Sequence, residues 1–569
     1  MNACTHYVRG DFVGGAVTSH WFRNGAVYTM DCRAPWAESV VVHDAVIVQV
    51  GSEAEARPHL RPDTVEVDLQ GGFLMPGFID GHDHLVGGAL AKVGVSLEGL
   101  HGKDAVLEQI RRYSADHPLH EVIRGHGWTP FTFDGEQPHR TWLDGVTDVR
   151  PAFLHTYDVH DVWANTAAFL AAGIGADTPD PNPPTGYWPR DPDGFPSGTC
   201  CEPEAWLPIA IRLGMFDMAS VRQAMSMTLL PAPSWGITSY FDASTMLTAR
   251  RQVDEVYQLL VDLDLAGDLP VRIVGSNVVR DPSTDPQRAV EATRRMNEQF
   301  RSPNVSVTTL KLFMDGVGPQ HTAAMLEPYA DQPHRGGWVC TPEYAQAISE
   351  AGNVAGFDVH IHACGDAGVR AALDGFEHVR TAHPHLSPRN TVCHLEFCHP
   401  DDVLRFARLG VTANCTPVWG TDYRGEFVDA YPGLVGAERF RRDYCPYGSV
   451  LRTGANVTFG ADCPGVEVHE IAPLVQIESA VTRQRPGRPD DRPAGAHERV
   501  SVADALRCYT ANGAWALRME DRVGSIELGK QADLVVLGAS PFEVRPHEIH
   551  AIPVVRTMLS GRFTHGAVA

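Results

Sequence analysis

The sequence predicts an α/β protein: a (β/α)8 TIM-like barrel carrying a small β-sandwich domain formed by both chain ends and a long insertion after barrel strand 1. Three observations predict it. Short apolar runs alternate with longer helical patterns through the middle of the chain, strand-and-turn patterns recur at both ends, and the gap between the first two central runs is far longer than a βα loop.

At the amino end, GAVYTM, ESVVVHDAVIVQVG and DTVEVDL read as short strands, with Asn24-Gly25 as a turn signal. GSIELGKQADLVVLGASP and PVVRTMLSGRFTHG show the same pattern near the other end. Residues 1–70 and 481–569 are therefore expected to share one small β domain, the second piece also holding the last barrel helices. The barrel is expected over residues 71–480. Its strands are FLMPGFIDG (73–81), ITSYFDA (237–243), PVRIVGSNVV (270–279), VSVTTLKLFMD (305–315), FDVHIHACG (357–365), NTVCHLEF (390–397), GVTANCTP (410–417) and NVTFGADC (456–463). The insertion, about 90–230, contains DTPDPNPPTGYWPRDPDGFPSG, which reads as loop and lid. No repeat of solenoid period occurs.

Composition bounds the function. A chain of 569 residues, 43% hydrophobic and 21% charged, is that of a globular protein with a large core. Its net charge of −23 argues against a nucleic-acid partner and for solubility. MNACTHYVRGDFVGG lacks a basic region followed by an apolar one, and no run reaches membrane-spanning length. The 12 cysteines show no paired CxxC spacing, so free thiols in a reducing cytoplasm are expected. The expected partner is a small-molecule substrate, with no membrane; a homodimer is the assembly entertained.

Chemistry concentrates at the carboxyl ends of the predicted strands, where barrel active sites are built. Strand 1 ends in Asp80-Gly81-His82-Asp83-His84, and residues two apart in a strand face the same side. Strand 5 carries His360 and His362, strand 6 His394, and strand 8 ends at Asp462. A single such histidine is usually a satisfied core residue, but recurrence on strands 1, 5, 6 and 8 points to a divalent metal site. Imidazoles and carboxylates suit zinc, with manganese, iron or nickel as alternatives. Cys364, Cys393, Cys415 and Cys463 read as small packing residues. Trp163, Trp188 and Trp419 read as core or pocket residues, and Asp366 as a residue that orients a ligand or closes a loop.

Together these residues resemble the amidohydrolase superfamily, and most closely its branch containing N-substituted formamide deformylase. The resemblance runs over nearly the whole chain, through NGAVYTMD, LMPGFIDGHDH, RDPDGFPSG, KLFMDG, HACGD, RFARLGV, GADCPG and GSIELGKQADLVVL. It implies that His82, His84, Lys311, His362, His394 and Asp462 are metal ligands holding one or two ions. It also implies that Asp462 is the catalytic acid/base and that His160 lies at the edge of the active site. His321 and Trp419 are expected beside the substrate. The chain departs from the branch at Val317-Gly318-Pro319-Gln320-His321-Thr322, at Cys393 where Glu usually precedes the strand-6 histidine, and at the additional His360. The implied activity is metal-dependent hydrolysis of a non-peptide C–N bond, an amide or formamide. The alternatives are a single-metal deaminase of an amino-heterocycle and a non-catalytic binding barrel.

Lys311 carries a further expectation. Lysine and arginine together number 47, yet the lysines are Lys92, Lys103, Lys311 and Lys530 alone. An ammonium in the apolar run VTTLKLFMDG must lose its charge, find an anion such as Asp315, or be chemically changed. Arginine pairs with carboxylates at least as well, whereas a neutral lysine amine can add carbon dioxide. By resemblance, the resulting carbamate would bridge an ion at His82, His84 and Asp462 and a second at His362 and His394.

Overall fold

The structure is a computed structural model that describes residues 19–84, 87–183, 186–246, 250–425 and 427–566. The stretch MNACTHYVRGDFVGG lies outside the described residues.

Eight parallel strands form the central sheet: Phe78–Asp83, Ile237–Asp242, Arg272–Val278, Val305–Phe313, Asp358–Ala363, Thr391–His394, Thr412–Cys415 and Val457–Phe459. They are numbered 1 to 8 below; seven fall inside one of the eight apolar runs each, and strand 1 overlaps the first run and extends two residues beyond it. Neighbours pair in parallel from strand 1 through strand 8. The two ends of the sheet meet beyond strand 8, where Asp462 N donates to His82 O at 2.9 Å and Ala461 N to Asp80 Oδ2 at 3.0 Å. That junction closes the barrel.

Helices follow from local chemistry as well as periodicity. Pro286–Gln299, Pro342–Val354 and Pro400–Leu409 each start with proline at the first helical position, preceded by a side chain that accepts from the first turn: Asp285, Thr341 and His399. Proline there loses no helical hydrogen bond, and the cap satisfies an N–H that would otherwise be orphaned.

The run FLMPGFIDG divides between two sheets. Phe73–Pro76, expected at the start of barrel strand 1, instead pairs with Ala26–Tyr28 and Leu534–Leu537. Gly77 makes the step possible, since a Cβ at that position would lie 2.2 Å from Thr238. The resulting six-stranded sheet faces a four-stranded sheet of His20–Arg23, Ser39–His43, Val46–Gly51 and Val65–Asp68. Phe22, Val42, Leu74, Leu534 and Met558 share the core between them, so the sandwich draws on both chain ends.

The insertion forms a sheet of its own. Its strands are Val95–Ser96, Ile123–Trp128, Ala152–Thr156, Val162–Ala164 and Thr199–Cys200. Trp163 and Trp188 are buried in the cores of this unit, their indole N–H groups donating to His139 O and Ala205 O. Neither reaches the barrel mouth, which corrects the pocket alternative for both. Paired strands and buried tryptophans make the insertion a packed unit; the loop reading applies to its proline-rich stretch.

Candidate active site

Register places the chemistry. Lys311 on strand 4 lies opposite His360 on strand 5, Phe313 opposite His362, and Ala363 opposite His394 on strand 6. Because alternate residues share a face, His360 and His362 turn to the same interior as Lys311 and Phe313. Two buried carboxylates fasten strand 1 to the chain after strand 8. Asp80 accepts from the N–H groups of His82 and Ala461, and Asp83 from those of His84 and Cys463, each at 2.7–3.0 Å. Burial pushes the Asp80 carboxyl up to about 8, while those N–H groups pull the other way. His394 (φ 78°) and Asp462 (φ 57°) hold left-handed backbone, a strained state that structures retain where function needs an aimed side chain.

Three imidazoles converge on one carboxylate. His82 Nε2 and His84 Nε2 stand 3.4 and 3.2 Å from Asp462 Oδ1, and His394 Nδ1 stands 3.5 Å from Oδ2. His84 Nδ1 meets the carbonyl oxygen of Ser244 at 3.0 Å, which fixes a proton on that nitrogen. In the neutral ring, Nε2 then aims a lone pair at Asp462. Burial, aided by the charge of Lys311, lowers the His82 pKa to about 3, and burial with His362 holds His394 well below the usual range. His82 Nε2 and His394 Nδ1 are buried without a hydrogen-bond partner. Neutral nitrogens and carboxylate oxygens facing one another at this range repel unless a cation lies among them. His82, His84 and Asp462 present ligand atoms within 4.8 Å of one another, as a divalent cation requires.

The remaining expected ligands form a second layer. The His362 ring lies 4.4 Å from that of His394, but its Nε2 is turned to Gly316 O at 3.2 Å. Lys311 is fully buried and donates to Cys393 Sγ at 3.1 Å. The alternative ion pair with Asp315 is not formed: Asp315 instead accepts from the N–H groups of Ala324, Cys364 and Gly365. His360 Nε2 meets His82 Nδ1 at 2.8 Å, so this additional histidine orients the ring of His82. Asp366 accepts from Leu326 N and therefore closes a loop.

A cavity opens above the cluster, lined by His84, His362, His394 and Asp462, by Glu396 and Trp419 from the barrel loops, and by Tyr157–His160 and Glu202–Glu204 from the insertion. Trp419 stacks on His394 at 5.7 Å. His160 Nδ1 contacts Glu202 Oε2 at 2.6 Å. Burial opposes the charge of His160, but Glu202 outweighs it and lifts the pKa to about 10, so His160 is a cation at neutral pH. Burial lifts Glu396 to about 7, against the hydrogen bond from Tyr431. His321, expected beside the substrate, is absent from the cavity wall; its Nε2 pairs with Asp331 at 2.9 Å. The stretch 177–198 also contributes no residue to the wall among those described. Sequence reasoning missed Glu202, Ser244 and Arg280. Glu202 at φ 64°, beside Cys200-Cys201, carries no motif that marks it in advance.

Residues 65–565 match the profile of the Amidohydrolase family. Over 565 residues the chain is 30% identical to N-substituted formamide deformylase of Arthrobacter pascens, covering 95% of this chain and 96% of that one. Protein LONG AFTER FAR-RED 3 of Arabidopsis thaliana is 28% identical over 96% of this chain and 92% of its own length. An uncharacterized metal-dependent hydrolase from Pyrococcus horikoshii OT3 shares the fold at TM-score 0.69 with 21% identity, over 93% of this chain and 99% of that one. The chain thus belongs to the amidohydrolase family.

Proposed function

We propose that the chain cleaves an amide or formamide C–N bond of a small molecule, with zinc held by His82, His84 and Asp462. The observation that carries this reading is the convergence of His82, His84 and His394 nitrogens on the two oxygens of Asp462, at the floor of the cavity. A bound divalent cation supplies Lewis acidity, polarising a carbonyl and bringing the pKa of a water to about 7. The protein's own residues do the rest. Ser244 O fixes the tautomer and orientation of the His84 ring, and His360 holds the orientation of the His82 ring. Asp462 takes a proton from the attacking water and delivers it to the departing nitrogen, making an amine a tolerable leaving group. His160, charged by its pairing with Glu202, places a positive charge beside the developing oxyanion. Trp419, Tyr157 and Phe427 wall the site against bulk water. The similarity to a formamide deformylase supports formamides as the first substrates to try.

Lys311 enters this reading as a carbamate. Its amine would add carbon dioxide, forming an N–C bond and releasing one proton, and the carboxylate so formed would join His362 and His394 in holding a second ion. The support is its full burial with no carboxylate within 4.0 Å among the described residues. The described cysteines are free thiols, buried apart from Cys32, which supports a reducing cytoplasm. Among the described residues no helix is long and apolar enough to cross a membrane.

Release of amine from a panel of formamides and acyl-amides, with elemental analysis of the purified protein, tests the reading. His84→Ala should lose metal and activity together, and full metal occupancy in that variant removes the ligand assignment. One ion per chain with an unmodified Lys311 removes the carbamate, as does failure of short carboxylic acids to rescue Lys311→Ala.

A further inference from the structure

Arg280 follows barrel strand 3 and faces the cavity. Its guanidinium donates to Ser244 Oγ at 3.3 Å and lies 5.7 Å from the centre of the Phe313 ring. Among the described residues no carboxylate oxygen comes within 4.0 Å of it. Other buried arginines find either backbone carbonyls, as Arg483 and Arg439 do, or a carboxylate. Arg272, on the same strand, pairs with Asp533, and Arg424 pairs with Glu467 at 2.8 Å. Arg280 is half-buried at the cavity wall; a guanidinium partly removed from water without an anion is costly, and its planar fork suits a carboxylate held through two parallel bonds.

Two contacts locate Arg280 relative to the metal site. Ser244, whose hydroxyl it touches, uses its carbonyl to hold His84. Phe313, over which it lies, is 5.4 Å from the ring of His362. One residue therefore separates Arg280 from the cluster on each side, so a group seated on it shares the cavity with the reacting bond.

The acids on the wall are otherwise engaged. Asp315 holds a loop, Glu202 holds His160 and Thr322, and Glu396 holds Tyr431 and Gly318 N. Glu204 stands outside ion-pair range of Arg280; burial acts to raise its carboxyl, and the charge of Arg280 acts to lower it.

We propose that Arg280 is the subsite for a carboxylate on the substrate, so that the bond cleaved belongs to an N-acylated or N-formylated amino acid. This rests on the hydrolytic reading above and adds its substrate class.

The test uses the metal-loaded protein and a pair of probes that differ by one carboxylate, N-formyl-phenylalanine and N-formyl-phenethylamine. The wild type should favour the acid by at least about tenfold in kcat/KM. That ratio should fall toward one in Arg280→Met and recover in part in Arg280→Lys. Equal kcat/KM for the two probes in the wild type, or a ratio unmoved by Arg280→Met, overturns the proposal. A second arm needs no turnover: calorimetric binding of 3-phenylpropionate and 3-phenylpropanamide. Arg280→Met should weaken the carboxylate at least about tenfold relative to the amide. Since a bound metal can also hold a carboxylate, the response to the variant is the readout, and unchanged relative affinity overturns the proposal. If neither formamide is cleaved while the carboxylate still depends on Arg280, the hydrolytic reading fails and the subsite stands.

Discussion

The floor and the wall of the cavity are built on different principles. The floor consists of strand ends: His82, His84, His394 and Asp462 project from backbone fixed by parallel pairing and by the Asp80 and Asp83 carboxylates. The insertion side of the wall is a set of loop residues, Tyr157–His160 and Glu202–Glu204, delivered by a separately packed unit. Val159 and Glu202 there adopt φ of 59° and 64°, held by tertiary contacts rather than by a sheet. A strand fixes alternate side chains by its own geometry, while a loop residue is fixed by its partners. Changes to the floor should therefore alter chemistry, and changes to the wall should alter substrate choice.

The largest break in that contrast should come from Asp462→Asn. The amide cannot carry a proton, yet its oxygen can still face a cation, so turnover should fall by roughly 10²–10⁴-fold while metal content holds. Near-normal kcat with full metal would remove Asp462 from the proton path.

Glu202→Gln should break the wall alone. Losing a charge-assisted hydrogen bond of ~1.5–3 kcal/mol to His160 predicts a change of roughly ten- to hundredfold in kcat/KM across substrates, with metal unchanged by elemental analysis. Loss of metal in this variant would show that floor and wall are not separable.

The same pair has a pH signature. The folded pKa of His160 is raised from 6.5 to about 10, so its contribution to stability is complete below 6.5 and is lost as pH rises through about 10. Urea midpoints of wild type and Glu202→Gln should differ most at low pH and converge above about pH 10. A difference that grows with pH would reverse the assignment.

The smallest functional effect should come from Trp188→Phe. Trp188 lies in the core of the insertion and away from the cavity, so midpoint stability should drop by ~1–3 kcal/mol while substrate ranking stays fixed. A changed ranking would mean that the proline-rich stretch shapes the wall after all.

Much of the floor was legible in the chain itself. Asp80-Gly81-His82-Asp83-His84 announces a strand end with same-side histidines, and a period of two is a local property that needs no knowledge of the fold. Eight apolar runs at βα spacing specify the barrel for the same reason. The roles of Asp80 and Asp83 were less visible, because their partners, Ala461 and Cys463, lie some 380 positions away. His321 misled because its nearness to KLFMDG in sequence is undone by a loop that turns it to Asp331.

The sequence by itself determined the barrel, the order of the strand-end residues and a metal-suited donor set, because strand periodicity and residue chemistry are written locally. Tertiary structure alone decided that Lys311 meets Cys393 rather than Asp315, that Glu202 charges His160, and that Arg280 faces the cavity with no carboxylate within 4.0 Å among the described residues. Those outcomes depend on which distant segments are brought within a few ångströms in a low-dielectric interior. There burial and a single neighbour set the charge of a group, and no local pattern encodes that neighbour.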